Sequence, residues 1–218
     1  MGSLFSMTSK YREMYPGVGF GLALIAGCRD DSNPPGFDQY KRKLLRKMRK
    51  REILTQISDR IEIYNRFFQS FDFDCPLPKH LKRTVNSGFP RYSLYLDAHF
   101  MADMCAGILV AVADFKQFNG NLTLDVADKG EMCAGMGGRE FITREGEIVL
   151  RDQKEIVCVL CQGEDEKTRA REETIDVLFY AYAVPGIEGQ YLKQGLTIAA
   201  DTLVEFGGGH IEFIEVYE

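Results

Sequence analysis

Tryptophan is absent from this 218-residue chain, and histidine occurs three times. The bulk of a core must come from 15 phenylalanines and 10 tyrosines, and chemistry that needs an imidazole has few candidates. No apolar run approaches the ~18 residues of a membrane span, so no transmembrane helix is expected. The opening MGSLFSMTSK has no basic segment followed by an apolar one. It does not read as a secretory signal, and a cytoplasmic location is expected. Residues 1–10 read as a tail, residues 1–6 as an expression remnant, with Met7 a candidate native start. Gly17, Gly19 and Gly21 follow neither the GxGxxG nor the phosphate-loop pattern. They read as sites of close packing rather than nucleotide binding. A GxSxG element and a candidate Ser-His-Asp set are also missing.

Metal-ligand spacing is equally thin. Six cysteines, Cys28, Cys75, Cys105, Cys133, Cys158 and Cys161, are expected as buried free thiols. The one CxxC, Cys158 to Cys161, lies inside IVCVLC, which reads as a continuous strand. Residues three apart on a strand point to opposite faces, so the pair should not grip one ion. No metal and no cofactor are expected.

Hydrophobic residues make up 45% of the chain and charged residues 27%, which suits one folded domain over residues 11–218. The net charge of -5 argues against binding nucleic acid with the whole surface, and no DNA partner is expected. Basic residues cluster locally. Residues 41–52, KRKLLRKMRKRE, hold eight bases in twelve positions. This is either a helix that binds nucleic acid or a membrane surface, or a solvated face whose long stems cover a thin apolar seam; the second reading is favoured. Lys79, His80, Lys82 and Arg83 form a second basic cluster. The RNA-binding candidates are Lys41, Arg42, Lys43, Arg46, Lys79, Lys82 and Arg83.

The least polar stretch is residues 97–114, DAHFMADMCAGILVAVAD. It reads as a helix, a break at Gly107 and a short apolar strand ending on an acid. Around it, residues 18–25 read as a buried strand. Residues 37–71 read as long helical structure, broken near Ser58-Asp59, with Ile53, Ile57, Ile61, Tyr64 and Phe68 as its core stripe. Residues 79–86 read as a short helix. The second half is β-rich, with strands expected at 122–126, 147–150, 156–161, 175–184 and 210–217, and a helix over 191–206. The class is α+β.

An ordered series of short features then meets a family. Leu96-Asp97 opens the helix, and Asp114 follows a small apolar strand 17 residues later. Next come residues 121–128 with the Gly130-Glu131 turn, GEIVLRD ending at Asp152, the set Asp165, Thr168 and Arg169, and Thr174 opening a strand that runs into Val-Pro-Gly-Ile. Over residues 77–187 this resembles the B-three/B-four domain of the phenylalanyl-tRNA synthetase beta subunit, especially its free-standing relatives. The division implied is an N-terminal strand and helices over residues 11–76 and a B-three/B-four core over 77–218. The resemblance implies β-sandwich-like sheets of unusual topology with flanking helices and a pocket between two sub-lobes. In the synthetase that pocket hydrolyses tyrosine mischarged on phenylalanine tRNA.

The resemblance implies a trans-acting hydrolase that clears mischarged, aromatic aminoacyl-tRNA, with tRNA or aminoacyl-tRNA as partner. A non-catalytic module that binds tRNA or an amino acid is the alternative, and a synthetase fragment a third reading. His99 is the catalytic candidate, as against a helix histidine bonded to a carbonyl. Asp97, Asp114, Glu131, Asp165, Thr168 and Thr174 are the substrate-binding candidates. For Asp97 a helix-capping role competes, for Asp114 and Glu131 a turn, and for the last three a solvated charge run. The sequence also departs from the bacterial synthetase pattern: Ala111 stands where that pattern has histidine, and His99-Phe100 where it has Thr-Asn.

Overall fold

The computed structural model describes residues 4–31 and 33–218. Its fold is mixed α+β, with six α-helices and two main sheets among those residues. One sheet has four antiparallel strands in the order β11-β2-β10-β3, namely His210–Tyr217, Phe20–Ala26, Val177–Tyr182 and Leu109–Asp114. The other has five in the order β1-β4-β7-β8-β9: Phe5–Met7, Leu122–Val126, Ile148–Arg151, Ile156–Val159 and Gly163–Glu164. A hairpin, β5 (Met132–Gly135) with β6 (Arg139–Ile142), stands beside the second sheet.

β10, VLFYAY, is buried at every position because both its faces are covered. On one face Phe20 packs edge-on against Tyr182 and stacks on Phe5 of the other sheet at 4.9 Å. Helices α5 (Leu94–Ala106) and α6 (Gly189–Gly207) pack together, and α6 lies across β2 and β10. A Cβ on Gly21 would meet Leu196 Cδ1 at 2.6 Å, so the glycine is what lets α6 come this near. The five-stranded sheet alternates as a two-sided strand must: Ile148 and Leu150 join the main core, while Val149 joins a small cluster with Phe141 under the hairpin.

Most expected elements are present, with informative shifts. Helix α2 (Phe37–Met48) and helix α3 (Arg51–Gln69) part at Arg49 and Lys50, not at Ser58-Asp59. Ser58 returns its hydroxyl to the Leu54 carbonyl at 2.8 Å and faces solvent with Asp59, so neither breaks the helix. Ile57, Ile61, Tyr64 and Phe68 form the buried stripe of α3, and Ile53 is only partly covered. Helix α4 spans Leu77–Ser87, starting two residues earlier than expected with Pro78 in its first turn.

The tail expected over residues 1–10 is corrected. Residues 1–3 lie outside the described residues, but Phe5 is 4% exposed in the core and β1 pairs in parallel with β4. Thr8 then caps helix α1 (Ser9–Met14). The strand expected through Cys161 ends at Val159. The chain turns there, so Cys158 and Cys161 border one cavity instead of facing apart. No helix among the described residues is long and apolar enough to cross a membrane.

Candidate functional site

The central stretch folds as expected and builds one wall of a cavity. Ser93 caps α5, accepting from the Leu96 amide, and Gly107 closes the helix in the left-handed region at φ 68°. A Cβ there would meet the Ile57 carbonyl oxygen at 3.0 Å, so the turn into β3 requires glycine. His99 and Asp103 sit one helical turn apart on the same face. Leu109, Val110 and Ala111 of β3 continue that wall.

The cavity measures about 380 Å³. Opposite α5 and β3 stand His80 of α4 and Pro76 just before that helix, Glu164 of β9, and Met136 from the tip of the β5–β6 hairpin. Phe68, Phe100 and Leu160 give it mostly apolar sides. Its volume suits an amino acid or a compact acyl group.

Several titratable groups are set against those apolar sides. His99 Nε2 lies 3.2 Å from Asp103 Oδ2, and Asp103 Oδ1 accepts the Val110 N–H at 2.8 Å. Asp103 is 3% exposed, so it is held from both sides and fixes the ring. His99 Nδ1 is buried and makes no side-chain hydrogen bond among the described residues, while the Val110 backbone lies close enough to add to the rise in the ring's pKa. Burial alone would push the imidazole pKa down, but Asp103, with Glu164 beyond it, holds it above the ordinary value. The Glu164 carboxyl is pushed up to about 7, first by burial, with Asp103 adding repulsion and His99 opposing. His80 is held below its usual range, first by burial. The phenols of Tyr180 and Tyr182 are buried beside Cys158, and burial raises all three groups well above their ordinary values.

Of the residues singled out from sequence, His99 lines this cavity, and so does Ala111, the position that departs from the bacterial pattern. The other six candidates for substrate contact do not line it. Asp97, 2% exposed, pairs with the Lys41 ammonium and accepts the Tyr92 N–H at 3.0 Å. Asp114 accepts from the Lys116 amide and the Thr174 hydroxyl, both at 3.0 Å, and its own amide donates to the Thr168 carbonyl. Thr168 donates its hydroxyl to Asp165. These four thus fasten residues 165–174 to the end of β3. Glu131 caps the Asp128 amide at 2.7 Å and pairs with Arg151 at 2.8 Å.

The basic candidates also divide. Lys41 is 7% exposed and donates to the Pro90 carbonyl as well as to Asp97, so its charge is not offered to a phosphate. Arg42, Lys43 and Arg46 of α2 are exposed or half-buried at the surface, as are Lys79, Lys82 and Arg83 of α4. Arg42 and Arg46 share a groove with Arg49, Asn86 and Gly88. Helix α4 therefore turns His80 into the cavity and its cations outward.

Sequence reading missed Asp103, Glu164 and His80 as cavity residues. Asp103 carried a signal, the i,i+4 His-Asp spacing on one helix face. Glu164 was hidden in a polar loop of mixed charge. Among the described residues no cluster of three or more histidine, cysteine or acidic side chains has the arrangement of a metal site.

This geometry defines a class: a two-sheet α+β fold with a mostly apolar cavity between its helical and β-rich parts. Among solved structures, the fold is similar to the N-terminal fragment of the phenylalanyl-tRNA synthetase beta subunit from Pyrococcus horikoshii, with a TM-score of 0.54 and 13% identity. The match covers 98% of this chain and 54% of that one, so the chain spans about half the length of that fragment. At this identity the likeness is one of fold. No family model and no curated protein matches the sequence.

Proposed function

We propose that this protein is a hydrolase that clears aminoacyl esters from tRNA, with the cavity around His99 receiving the aminoacyl group. One observation carries the reading. A histidine oriented by a buried carboxylate through Nε2, its Nδ1 making no side-chain hydrogen bond, shares a mostly apolar cavity of about 380 Å³ with a second carboxyl, Glu164. The fold likeness to a phenylalanyl-tRNA synthetase fragment supports the choice of tRNA over other esters.

The chemistry follows from the groups present. Once side-chain motion uncovers the buried Nδ1 to the cavity, neutral His99 takes a proton there from water as the water oxygen adds to the ester carbonyl. Asp103 holds the ring and stabilises the imidazolium. The ring then returns the proton to the departing ribose oxygen. Phe68, Phe100 and Leu160 suit an apolar or aromatic side chain, and ionised Glu164 suits the α-ammonium. The surface cations of α2 and α4 suit the phosphates of the acceptor end.

A second reading, binding without hydrolysis, is favoured by Ala111, which puts a methyl group in the cavity where the bacterial synthetase pattern has histidine. Deacylation of Tyr-tRNA(Phe), other mischarged tRNAs and Phe-tRNA(Phe) separates the two. Release from a mischarged tRNA above background supports hydrolysis. No release from any of them excludes it, and salt-dependent tRNA binding by the same protein would then favour the module.

A further inference from the structure

A second cavity, of about 280 Å³, lies on the opposite side of α5, among α2, α3 and α6. It takes no part in the function proposed above. Arg60 of α3 lines it at 9% exposure. Its Nε donates to the Ala106 carbonyl at 2.7 Å, closing the C-terminal end of α5. Tyr191 takes up part of the remaining guanidinium donor capacity, and the rest is left for a ligand. Its guanidinium carbon stands 4.2 Å from the centre of the Tyr191 ring. No carboxylate lies within ion-pairing distance of it among the described residues. Burial presses its pKa down, and the partial opposition from Tyr191 and from Asp59 does not offset this.

Lys47 stands exposed at the rim and adds a second positive charge, and the lining holds no acidic residue. Leu44, Met48, Ile53 and Ile198 give it an apolar side, and the Gln56 and Gln194 amides also line it. We infer that this cavity is a binding site for a small apolar carboxylate, its anion on Arg60 and Lys47 and its body against the aliphatic wall. A free amino acid does not suit it, because its ammonium would meet two cations and no acid. A bare inorganic anion would leave the apolar wall unused. A carboxylate matches the planar guanidinium fork and supplies the missing charge.

The test is amide NMR on the full chain titrated with hexanoate and benzoate, with hexanamide, benzamide and inorganic phosphate as controls. The site predicts saturable shifts at Arg60, Cys105 and Tyr191 with either carboxylate and none with the amides. Lys47→Glu, a change at an exposed position, should weaken the carboxylates by about tenfold or more. The inference is overturned if neither carboxylate binds, if the amides bind as well as the acids, or if phosphate alone produces the shifts. Unchanged affinity in Lys47→Glu, or shifts confined to the His99 cavity, would also overturn it.

Discussion

At the scale of single residues, Glu164 and the Lys41–Asp97 pair are the sharpest tests of what burial does to charge here. The folded Glu164 carboxyl keeps its proton up to about pH 7, whereas the unfolded chain releases it near its ordinary 4.5. Between those values the folded state binds more protons than the unfolded state. Stability therefore falls as pH rises through that window. Urea midpoints measured from pH 4 to 8 should show this decline, and Glu164→Gln should flatten it and raise stability at neutral pH. An unchanged profile in the variant would remove Glu164 as its source. Lys41→Met should cost about 3–5 kcal/mol, because it strands the Asp97 carboxylate in a site 2% exposed. Pairing it with Asp97→Leu should recover most of that loss in the same urea titration, which a purely surface lysine would not do. The sequence placed Lys41 in a basic run and Asp97 at a helix start. It could not show that a residue 56 positions away would neutralise either one.

Among the elements, α5 and β3 were the most readable, because helix start, glycine break and apolar strand all occur within one short stretch. Asp103 joins them: its carboxylate takes the Val110 amide at the strand's start and orients His99 one turn back. The limits of local reading show at α2 and α3. A polar Ser-Asp pair looked like a break, yet on an exposed helix face it costs little, and the real break falls inside the basic run where no proline or glycine marks it. The CxxC fails in the same way, since period-two reasoning assumed a strand that the turn after Val159 ends. Helix α4 offers a test of the proposed tRNA contact. Reversing Lys79, Lys82 and Arg83 to glutamate should weaken tRNA binding and reduce the salt slope by about one for each phosphate no longer neutralised. The same reversal should leave the urea midpoint nearly unchanged, since none of the three is buried. Equal binding by wild type and variant would take α4 out of the interface.

For the molecule as a whole, the longer strands came through in the sequence, while the short strands β1, β5, β6 and β9 and all strand partners did not. The alternation of β4 and β11 is a local pattern. The parallel pairing of β1 with β4 and the placing of β2 between β10 and β11 depend on residues remote in sequence. The cavity is assembled the same way, from α4, α5, β3, β9 and a hairpin tip, so only its α5–β3 wall could be anticipated. What joins these parts into the proposed site is the His99–Asp103 pair. Its most direct test is single-turnover deacylation of a mischarged tRNA across pH, with wild type, His99→Ala and Asp103→Asn compared at equal folded content. The account predicts a rate that rises with pH through a value above the ordinary 6.5 of histidine. It predicts a shift of that rise to lower pH in Asp103→Asn, and loss of about 10²–10⁴-fold in His99→Ala. Release by His99→Ala at the wild-type rate, with the same pH profile, would contradict it.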